Sequence, residues 1–279
     1  MQHWTVGEVR IHAVLQAVIP IPPGRLFANL PDRLPENSSP NYIDASGNIL
    51  MAIQSYLIES AAARVLVDTC FAESFLRERG IPDRFEESLA ATGFTAADIT
   101  AVICTHLHRD HAGRNTTECD GRWVPAFPNA DYLVTAAEHA HWCGFAGEDR
   151  APSECIAPLE HHGKLRLIGP DHRVSDDVQL VPTAGHTPGH VSVRIESNDA
   201  VAYISGDVVH HPIQIAHPDI AALPDADPVA ARASRRQLLR RIADERALLL
   251  GSHFAAPSGG FIDGTENAWQ PLADREATR

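Results

Sequence analysis

The chain has 279 residues with a hydrophobic content of 44%, which suits one globular domain over residues 1–279. Its formal net charge of −13 argues against a nucleic-acid partner, and no apolar stretch approaches the roughly 18 residues that span a bilayer. Five cysteines without framework spacing indicate reduced thiols, and the apolar segment 11–21 lacks the basic start and cleavage site of a signal peptide. We therefore expect a cytoplasmic protein without a membrane partner.

Three predicted strands and one irregular segment make up the first part of the chain. β-Branched residues that partly alternate with other types predict an opening strand over Glu8–Ile19. Residues 20–48 are rich in Pro, Asn and Ser but also contain several apolar side chains. They predict an ordered loop that covers the site or contacts a partner subunit in a homodimer, with a disordered linker as the alternative. Ile49–Glu59 and Arg64–Asp68 then predict a pair of strands.

Helices and a short strand are predicted in the middle of the chain. Two helices are expected over residues 71–93, each closed by a glycine. The apolar run Ala101–Cys104 predicts a short buried strand. A further helix is expected over Thr135–Trp142, where Thr135 and Glu138 have the spacing of a capping box.

Residue types that bind metals cluster directly after the strand Ala101–Cys104. His106, His108, Asp110 and His111 fall within six residues. Alternation along an extended segment points His106 and His108 the same way, and imidazole nitrogens with a carboxylate oxygen suit Zn²⁺ and similar ions. A solvated histidine-rich loop is the alternative interpretation. Three further candidates favour a metal site, because each stands where a strand-like run gives way to a glycine-containing loop: His186, Asp207 and His253.

More strands and one long helix are predicted in the second half of the chain. Four strands are assigned to a second half of the fold: Lys164–Ile168, Val178–Val181, His190–Ile195 and Val201–Ile204. Asp227 as N-cap and Pro228 at the first position predict a helix that ends near Asp244. A basic cluster on this helix is expected to form a solvated outer face: Arg235, Arg236, Arg240 and Arg241. A last strand over Ala247–Leu250 places His253.

The order of these motifs resembles a known family. The HxHxDH motif that starts at His106, the later GHTPGH and SGD segments and a final GSHF are similar to those of the metallo-β-lactamase-fold hydrolases. Within that superfamily the chain looks most like the branch of methyl parathion hydrolase and the quorum-quenching lactonases. The resemblance implies an α/β (α+β) fold, a four-layer αββα sandwich, with two divalent metal ions at one edge. Zinc is the expected metal, with manganese, cobalt or iron as alternatives.

The resemblance also implies a role for each motif residue. His106, His108 and His186 would hold the first metal. Asp110, His111 and His253 would hold the second, and Asp207 would bridge the two. Asp68 stands in an Asp-Thr-Cys segment where many members have Asp-Thr-Gly, and it would orient a metal-bound histidine from behind. The cysteine departs from that pattern and leaves the geometry of the turn open.

The implied reaction is hydrolysis of a small-molecule substrate by a metal-bound hydroxide that opens a lactone or ester, with Asp110 or Asp207 taking up a proton. His210 stands where similar lactonases carry a tyrosine, so we expect it to face the substrate, whereas the role of His211 stays open. The alternatives are a glyoxalase II-like thioesterase, a phosphotriesterase, a β-lactamase or, from another class, a non-catalytic metal-binding module. Candidates for an apolar pocket wall are Trp123, Phe127, Trp142 and Phe254.

Overall fold

The computed structural model describes residues 1–28, 30, 40–143, 152–263 and 268–272. Its strands, in chain order, are β1 His3–Val6, β2 Val9–Ile21, β3 Ile49–Glu59, β4 Arg64–Val67, β5 Ala101–Ile103, β6 Thr116–Cys119, β7 Arg122–Pro125, β8 Asp131–Thr135, β9 Leu165–Ile168, β10 Val178–Pro182, β11 Val191–Ser197, β12 Ala200–Ile204, β13 Leu248–Leu250, β14 Gly259–Asp263 and β15 Ala268–Pro271. Its α-helices are α1 Pro23–Leu26, α2 Glu73–Glu78, α3 Phe85–Ala90, α4 Arg109–Ala112, α5 Ala136–Cys143, α6 Ala157–His161, α7 Ile213–Ala216 and α8 Pro228–Asp244.

These strands form two large sheets and one hairpin. The first sheet has the order β1-β2-β3-β4-β5-β8-β9, the second has the order β10-β11-β12-β13-β14-β15, and β6 pairs with β7. In the first sheet β4, β5, β8 and β9 run parallel to one another, and β3 is antiparallel to β4. In the second sheet β12 and β13 are parallel. Parallel neighbours end at the same edge of a sheet, which brings the loops that follow them together.

The two sheets pack face to face, and helices cover their outer faces. Alternation along β2 turns Val9 and Ile11 inward, where they share a core with Val193 of β11 and Leu250 of β13. Phe85 and Leu89 of α3 pack on the outer face of the first sheet. Leu238 and Ile242 of α8 pack on the outer face of the second sheet. The layers therefore follow the order helix, sheet, sheet, helix, as the resemblance implied.

Most of the predicted elements lie where the sequence placed them. The helix predicted from Asp227 is α8, and the Asp227 side chain accepts hydrogen bonds from the backbone N–H groups of Val229 and Ala230, both at 3.0 Å. The assignment of the strand near Lys164 to the second half is wrong, because β9 pairs with β8 in the first sheet. Hydrogen bonding to β8 decides this membership, and strand composition carries no information about it.

The expectation of a solvated basic face on α8 is wrong for Arg235. This side chain is fully buried, and its guanidinium donates to the carbonyl oxygens of Val208, Pro218 and Ile220 at 2.7 to 3.0 Å. Arg236, the next residue, is exposed and pairs with Asp219, as expected of an outer face. Arg235 lies three and seven residues before Leu238 and Ile242, so the helical period places it on the buried face of α8. The expectation of exposure followed from its charge, and the three carbonyl acceptors satisfy that charge inside the fold.

The irregular segment 20–48 is partly described. It contains α1, and Phe27 bridges to Ala222 and packs in an apolar cluster with Leu26 and Ile49. Residues 29 and 31–39 lie outside the described residues, and the homodimer expected through this loop stays a prediction. Within its described part, Leu26, Phe27 and Tyr42 are buried against the rest of the fold.

All five cysteines lie in described segments, where Cys70, Cys104 and Cys155 are buried and Cys119 and Cys143 are exposed. Within the described segments, no helix combines the length and the apolar character that a membrane crossing requires. Asp120 and Gly121, both at positive φ, form the turn that joins β6 and β7.

Candidate metal centre

The polar side chains singled out in the sequence follow the ends of five strands. Asp68 follows β4, His106 follows β5, His186 follows β10, Asp207 follows β12 and His253 follows β13. These strand ends meet at one edge of the two sheets, so the loops after them bring distant parts of the chain together. The two halves of the fold therefore each contribute imidazoles and a carboxylate to the same place.

The backbone around Asp207 is shaped by a close approach to a second histidine. Gly206 has φ of +56°, and a Cβ atom there would lie 2.6 Å from Nε2 of His190. A glycine is therefore required at this position. The next N–H, that of Asp207, donates to Nε2 of His190 at 2.8 Å, and Nδ1 of His190 lies 2.9 Å from Oγ1 of Thr183. His190 thus fixes the backbone of Asp207 instead of adding a ligand.

The first cluster consists of His106, His108, His186 and Asp207, each with a possible ligand atom within 4.8 Å of the others. Nδ1 of His108 lies 2.8 Å from Nε2 of His106 and 2.9 Å from Nε2 of His186. His106 and His108 do point the same way, as alternation along the loop predicted. His186 reaches them from a loop 78 residues away in the chain.

The second cluster consists of Asp110, His111 and His253. Nε2 of His111 and Nε2 of His253 are 3.1 Å apart. Oδ2 of Asp110 lies 3.6 Å from Nε2 of His253 and 3.8 Å from Nε2 of His111. Asp110 and His111 are on the short helix α4, directly after the loop that carries the first cluster.

Asp207 lies between the two clusters, and each of its oxygens faces one of them. Oδ1 is 3.1 Å from Nε2 of His111 and 3.0 Å from Nε2 of His253. Oδ2 is 3.3 Å from Nε2 of His186 and 3.8 Å from Nε2 of His106. This is the arrangement expected of a carboxylate shared by two cation sites.

Acceptors outside the clusters fix the orientation of the imidazoles. Nδ1 of His111 lies 2.8 Å from Oδ2 of Asp68, and Nδ1 of His186 lies 3.0 Å from Oδ1 of Asp225. Nδ1 of His253 lies 2.8 Å from the carbonyl oxygen of Ala52. A carbonyl or a carboxylate oxygen can only accept, so the proton of each neutral ring is on Nδ1. The inward Nε2 atoms then carry lone pairs.

Several acceptors therefore face one another across the centre, and this arrangement fits a cation. Nitrogens that share one zinc ion at about 2.0–2.1 Å lie about 3 Å apart, which is close to the observed separations. Oδ1 of Asp207 is buried and has no hydrogen-bond partner among the described residues. Uncompensated lone pairs in a buried site are costly, and divalent ions that prefer imidazole and carboxylate ligands would satisfy them.

The pKa shifts of His186 and Asp207 also fit a cation at this centre. Burial opposes protonation of His186, yet the carboxylates of Asp207 and Asp225 raise its pKa to about 9. Burial acts to raise the pKa of the Asp207 carboxyl, but the surrounding imidazoles outweigh it and hold that pKa well below its usual range. The lowered pKa keeps the Asp207 carboxylate ionised, and a cation between the clusters would offset this buried negative charge.

A profile of the metallo-beta-lactamase superfamily matches residues 49–253, a segment that contains all the residues of both clusters. The chain belongs to this superfamily. An N-acyl homoserine lactonase from a Bacillus species is 31% identical over 179 residues, which are 58% of this chain and 66% of that protein. The chain thus spans slightly less than two-thirds of that relative. This membership confirms the superfamily that the sequence motifs predicted.

Solved structures match this chain over almost its whole length. The hydrolase AbOPH of the beta lactamase superfamily has a TM-score of 0.83 and 23% identity, covering 99% of this chain and 98% of that one. AidC, described as a dizinc quorum-quenching lactonase, has a TM-score of 0.80 and 24% identity with the same coverage of 99% and 98%. At these identities the similarity shows the fold, and it confirms the predicted αββα sandwich.

His210 lies beside the centre, and His211 does not. His210 is 1% exposed, its Nε2 is 3.2 Å from Oδ2 of Asp207, and neither of its ring nitrogens makes a hydrogen bond to a described residue. The ring of Phe27 meets it edge-on at 6.3 Å. His211 instead accepts from the N–H of Ile213 and packs against Tyr42. Of these two histidines, His210 is therefore the one that lies at the site.

Two of the four aromatic candidates for a pocket wall lie in the core instead. Phe127 is buried in the core beneath the first sheet's helices, and Phe254 is buried in the core under α8. Trp142 does reach the centre, since its ring meets that of His108 edge-on at 5.4 Å. Trp123 lies on the β6–β7 hairpin. Isolated aromatic residues gave no sequence signal that separates core from pocket.

Two supporting residues at the centre were missed in the sequence. Asp225 lies 39 residues after His186 in a loop without a ligand motif. Thr105 donates to Asp68 through both its backbone N–H, at 2.8 Å, and its hydroxyl, and the same hydroxyl lies 3.1 Å from Nδ1 of His106. Only the tertiary contacts reveal them, because no spacing rule links a histidine to the acceptor behind it.

Proposed function

We propose that the protein is a dinuclear metal-dependent hydrolase that opens a lactone or a related ester. The observation that carries the proposal is the position of Asp207, with one carboxylate oxygen facing each cluster. Non-catalytic binding would not require a shared carboxylate between two sites. The 31% identical relative is named an N-acyl homoserine lactonase, which makes a lactone the first substrate class to test.

In this proposal each cluster holds one divalent ion. His106, His108 and His186 hold the first ion, and Asp207 contributes to both. Asp110, His111 and His253 hold the second ion. Zinc suits imidazole and carboxylate ligands best, and manganese, cobalt and iron are the alternatives. Asp68 and Asp225 orient His111 and His186 through their Nδ1 atoms.

Bound divalent ions would lower the pKa of water from 15.7 towards roughly 7 and polarise the substrate carbonyl. The side chains of the site then have to move one proton. The Asp110 side chain is 18% exposed, whereas that of Asp207 is 4% exposed. Asp110 is the more exposed of the two carboxylates, so the proposal assigns the proton transfer to it. It accepts the proton of the attacking water and returns it to the leaving alkoxide as the C–O bond of the ring breaks.

His210 is placed to contact the substrate. Its ring nitrogens are buried, lack hydrogen-bond partners among the described residues, and lie beside Asp207. A neutral imidazole carries one N–H, so His210 can donate a hydrogen bond to an oxygen of the substrate, as a phenol hydroxyl would. Phe27, edge-on to this ring, contributes an apolar contact on the same side.

A substrate panel tests the proposal. Chelator-treated protein is reconstituted with Zn²⁺, Mn²⁺ or Co²⁺, bound metal is counted, and kcat/KM is measured for N-acyl homoserine lactones, other lactones, aryl esters, a glutathione thioester, a β-lactam and a phosphotriester. We expect about two ions per chain and the highest kcat/KM for a lactone. A thioester, β-lactam or phosphotriester that exceeds every lactone and ester tenfold, a margin of about 1.4 kcal/mol, contradicts the substrate class. Less than one ion per chain favours a binding module.

A further inference from the structure

A buried carboxylate outside both clusters ties the ligand loops together. Glu138, in the first turn of α5, is 1% exposed. Its Oε1 accepts from the backbone N–H of Leu107 at 3.0 Å and from the indole N–H of Trp142 at 2.7 Å, and its Oε2 accepts from the N–H of Gly189 at 3.0 Å. A carboxylate has only acceptor oxygens, and all three of these partners are donors.

The sequence interpretation of Glu138 as part of a capping box is half right. Oγ1 of Thr135 does accept from the N–H of Glu138 at 3.2 Å, as an N-cap should. The Glu138 side chain, however, reaches Leu107 and Gly189 instead of the N–H of Thr135. A group that usually caps its own helix is thus committed to two other loops.

Those two loops carry all three histidines of the first cluster. Leu107 stands between His106 and His108, and Gly189 is three residues after His186. Glu138 therefore holds both loops at fixed positions relative to α5.

Three further contacts strengthen the connection between α5 and the two loops. A Cβ atom on Gly189 would lie 2.2 Å from the backbone nitrogen of Glu138, so only glycine lets the loop approach the helix. Oγ1 of Thr135 also donates to the carbonyl oxygen of Gly189 at 2.8 Å. The indole of Trp142, held by Glu138, meets the ring of His108 edge-on at 5.4 Å. Glu138 thereby acts on His108 through both the backbone and a packed ring.

We infer that Glu138 is a positioning residue for the first cluster, which sets the separation of His106, His108 and His186 and leaves the second cluster unaffected. The inference rests on the proposed function, because it assumes that each cluster holds a divalent ion. Among the described contacts, Glu138 reaches His106, His108 and His186 only through the loops and the tryptophan named above. The hydrogen bonds of His111 and His253 go to Asp68 and to the carbonyl of Ala52.

The substitution Glu138→Gln isolates this role. Glutamine has nearly the same volume, but its amide NH₂ would face one of three donors where the carboxylate accepts. One donor would then oppose another in a buried place, and one loop would be released. Trp142→Phe is the milder variant, because it removes only the indole N–H and keeps a ring against His108.

Metal binding at each cluster can be measured separately in a variant that lacks one ligand of the other cluster. The His253→Ala background keeps the first cluster complete, and the His108→Ala background keeps the second. Chelator-treated proteins are titrated with Co²⁺, whose d–d absorption reports ligand geometry, and unfolding by denaturant is measured in parallel. We expect Glu138→Gln to weaken Co²⁺ binding roughly 10- to 100-fold in the first background, the usual cost of losing an outer partner of a ligand. In the second background the change should stay under about threefold, and Trp142→Phe should show a smaller loss with the same selectivity.

Glu160→Gln is the matched control, since Glu160 is an exposed carboxylate that also contacts α5, through His139, without touching either ligand loop. It should leave Co²⁺ affinity and the absorption spectrum unchanged in both backgrounds. Equal weakening of both clusters by Glu138→Gln, or none, overturns the positioning role while the proposed function stands. If Glu138→Gln does not fold, the selectivity of Trp142→Phe decides in the same way. A parent protein that binds no Co²⁺ at either cluster overturns both proposals.

Discussion

The two clusters differ in what holds their histidines. In the first cluster, side chains from distant segments support the rings: Asp225 contacts His186, and Glu138 fixes the backbone between His106 and His108. The second cluster rests on the strands of the first sheet. His253 donates to the carbonyl of Ala52 in β3, and the backbone N–H of Ala52 donates in return to the carbonyl of His253 at 3.1 Å.

The two kinds of support differ in how they tolerate amino-acid substitution. A backbone carbonyl in a paired strand persists through side-chain substitution, whereas a supporting carboxylate can be removed by one mutation. We therefore expect the first cluster to be the more easily disrupted of the two. Asp68 is intermediate, since it follows β4 directly and contacts both His111 and, through Thr105, His106.

Loss of the shared carboxylate should have the largest effect. Asp207→Ala removes the one group that faces both clusters. We expect kcat for lactone hydrolysis to fall on the order of 10³-fold or more, with fewer than two ions retained per chain and the fold intact. His106→Ala should abolish hydrolysis as well but retain the second ion. Elemental analysis with circular dichroism checks both, and near-normal turnover with normal metal content in either variant refutes that ligand.

The buried arginine behind the first cluster should have the next largest effect, on stability. NH2 of Arg235 lies 3.6 Å from Oδ2 of Asp225, and its other nitrogens hold three carbonyls. Removal of one partner of a buried ion pair costs about 3–5 kcal/mol, so Arg235→Met should lower the free energy of unfolding by that amount. Arg236→Ala breaks only an exposed pair worth about 0–1 kcal/mol. Similar losses in denaturant unfolding of the two variants would contradict the burial of Arg235.

His210 should affect turnover without affecting either cluster. The proposed function has His210 donate a hydrogen bond to the substrate, so His210→Phe should lower kcat on the order of 10²-fold with unchanged metal content. His211→Phe is the control, since His211 packs on Tyr42 away from the centre. A large loss of bound metal in His210→Phe would instead make His210 a ligand.

Asp225 tests the side-chain support of the first cluster. Asp225→Asn removes the charge behind His186 and should weaken metal binding at the first cluster roughly 10- to 100-fold, with little change at the second. Asp227→Asn, two residues later, keeps an effective N-cap on α8 and should change neither affinity. Zinc titration against a competing chelator resolves the two sites. An equal loss at both clusters in Asp225→Asn would remove the distinction between them.

Local pattern and spacing were enough to predict the parts of the site that lie in one stretch of chain. His106, His108, Asp110 and His111 share a loop and a helix turn, and the glycine-containing segments around His186, Asp207 and His253 follow recognisable strands. The layers of the sandwich followed from these motifs and the family resemblance. Alternation within single strands and the capping residues of α8 also predicted their elements correctly.

Long-range contacts made the remainder unpredictable. The helical period places Arg235 on the apolar face of α8, but its charge predicts exposure, and only the distant carbonyls of Val208, Pro218 and Ile220 allow a buried guanidinium there. Glu138 has the spacing of a helix cap, but two backbone N–H groups from other loops compete for its carboxylate. The pairing of β9 with β8 likewise depends on hydrogen bonds between two separate segments of the chain. In each case several arrangements satisfy the local pattern, and tertiary hydrogen bonding selects one.

The smallest expected effect tests the backbone support of the second cluster. Ala52→Gly keeps the carbonyl that accepts from Nδ1 of His253, so it removes a methyl group without removing the hydrogen bond. Glycine inside a strand lowers stability by roughly 0.5–1 kcal/mol, which denaturant unfolding would detect. Metal affinity of the second cluster should stay within about threefold of the parent protein, compared with a 10- to 100-fold loss for a supporting side chain. A loss at the second cluster as large as that of Asp225→Asn at the first would show that strand anchoring gives His253 no protection, because both variants would then disturb their histidines equally.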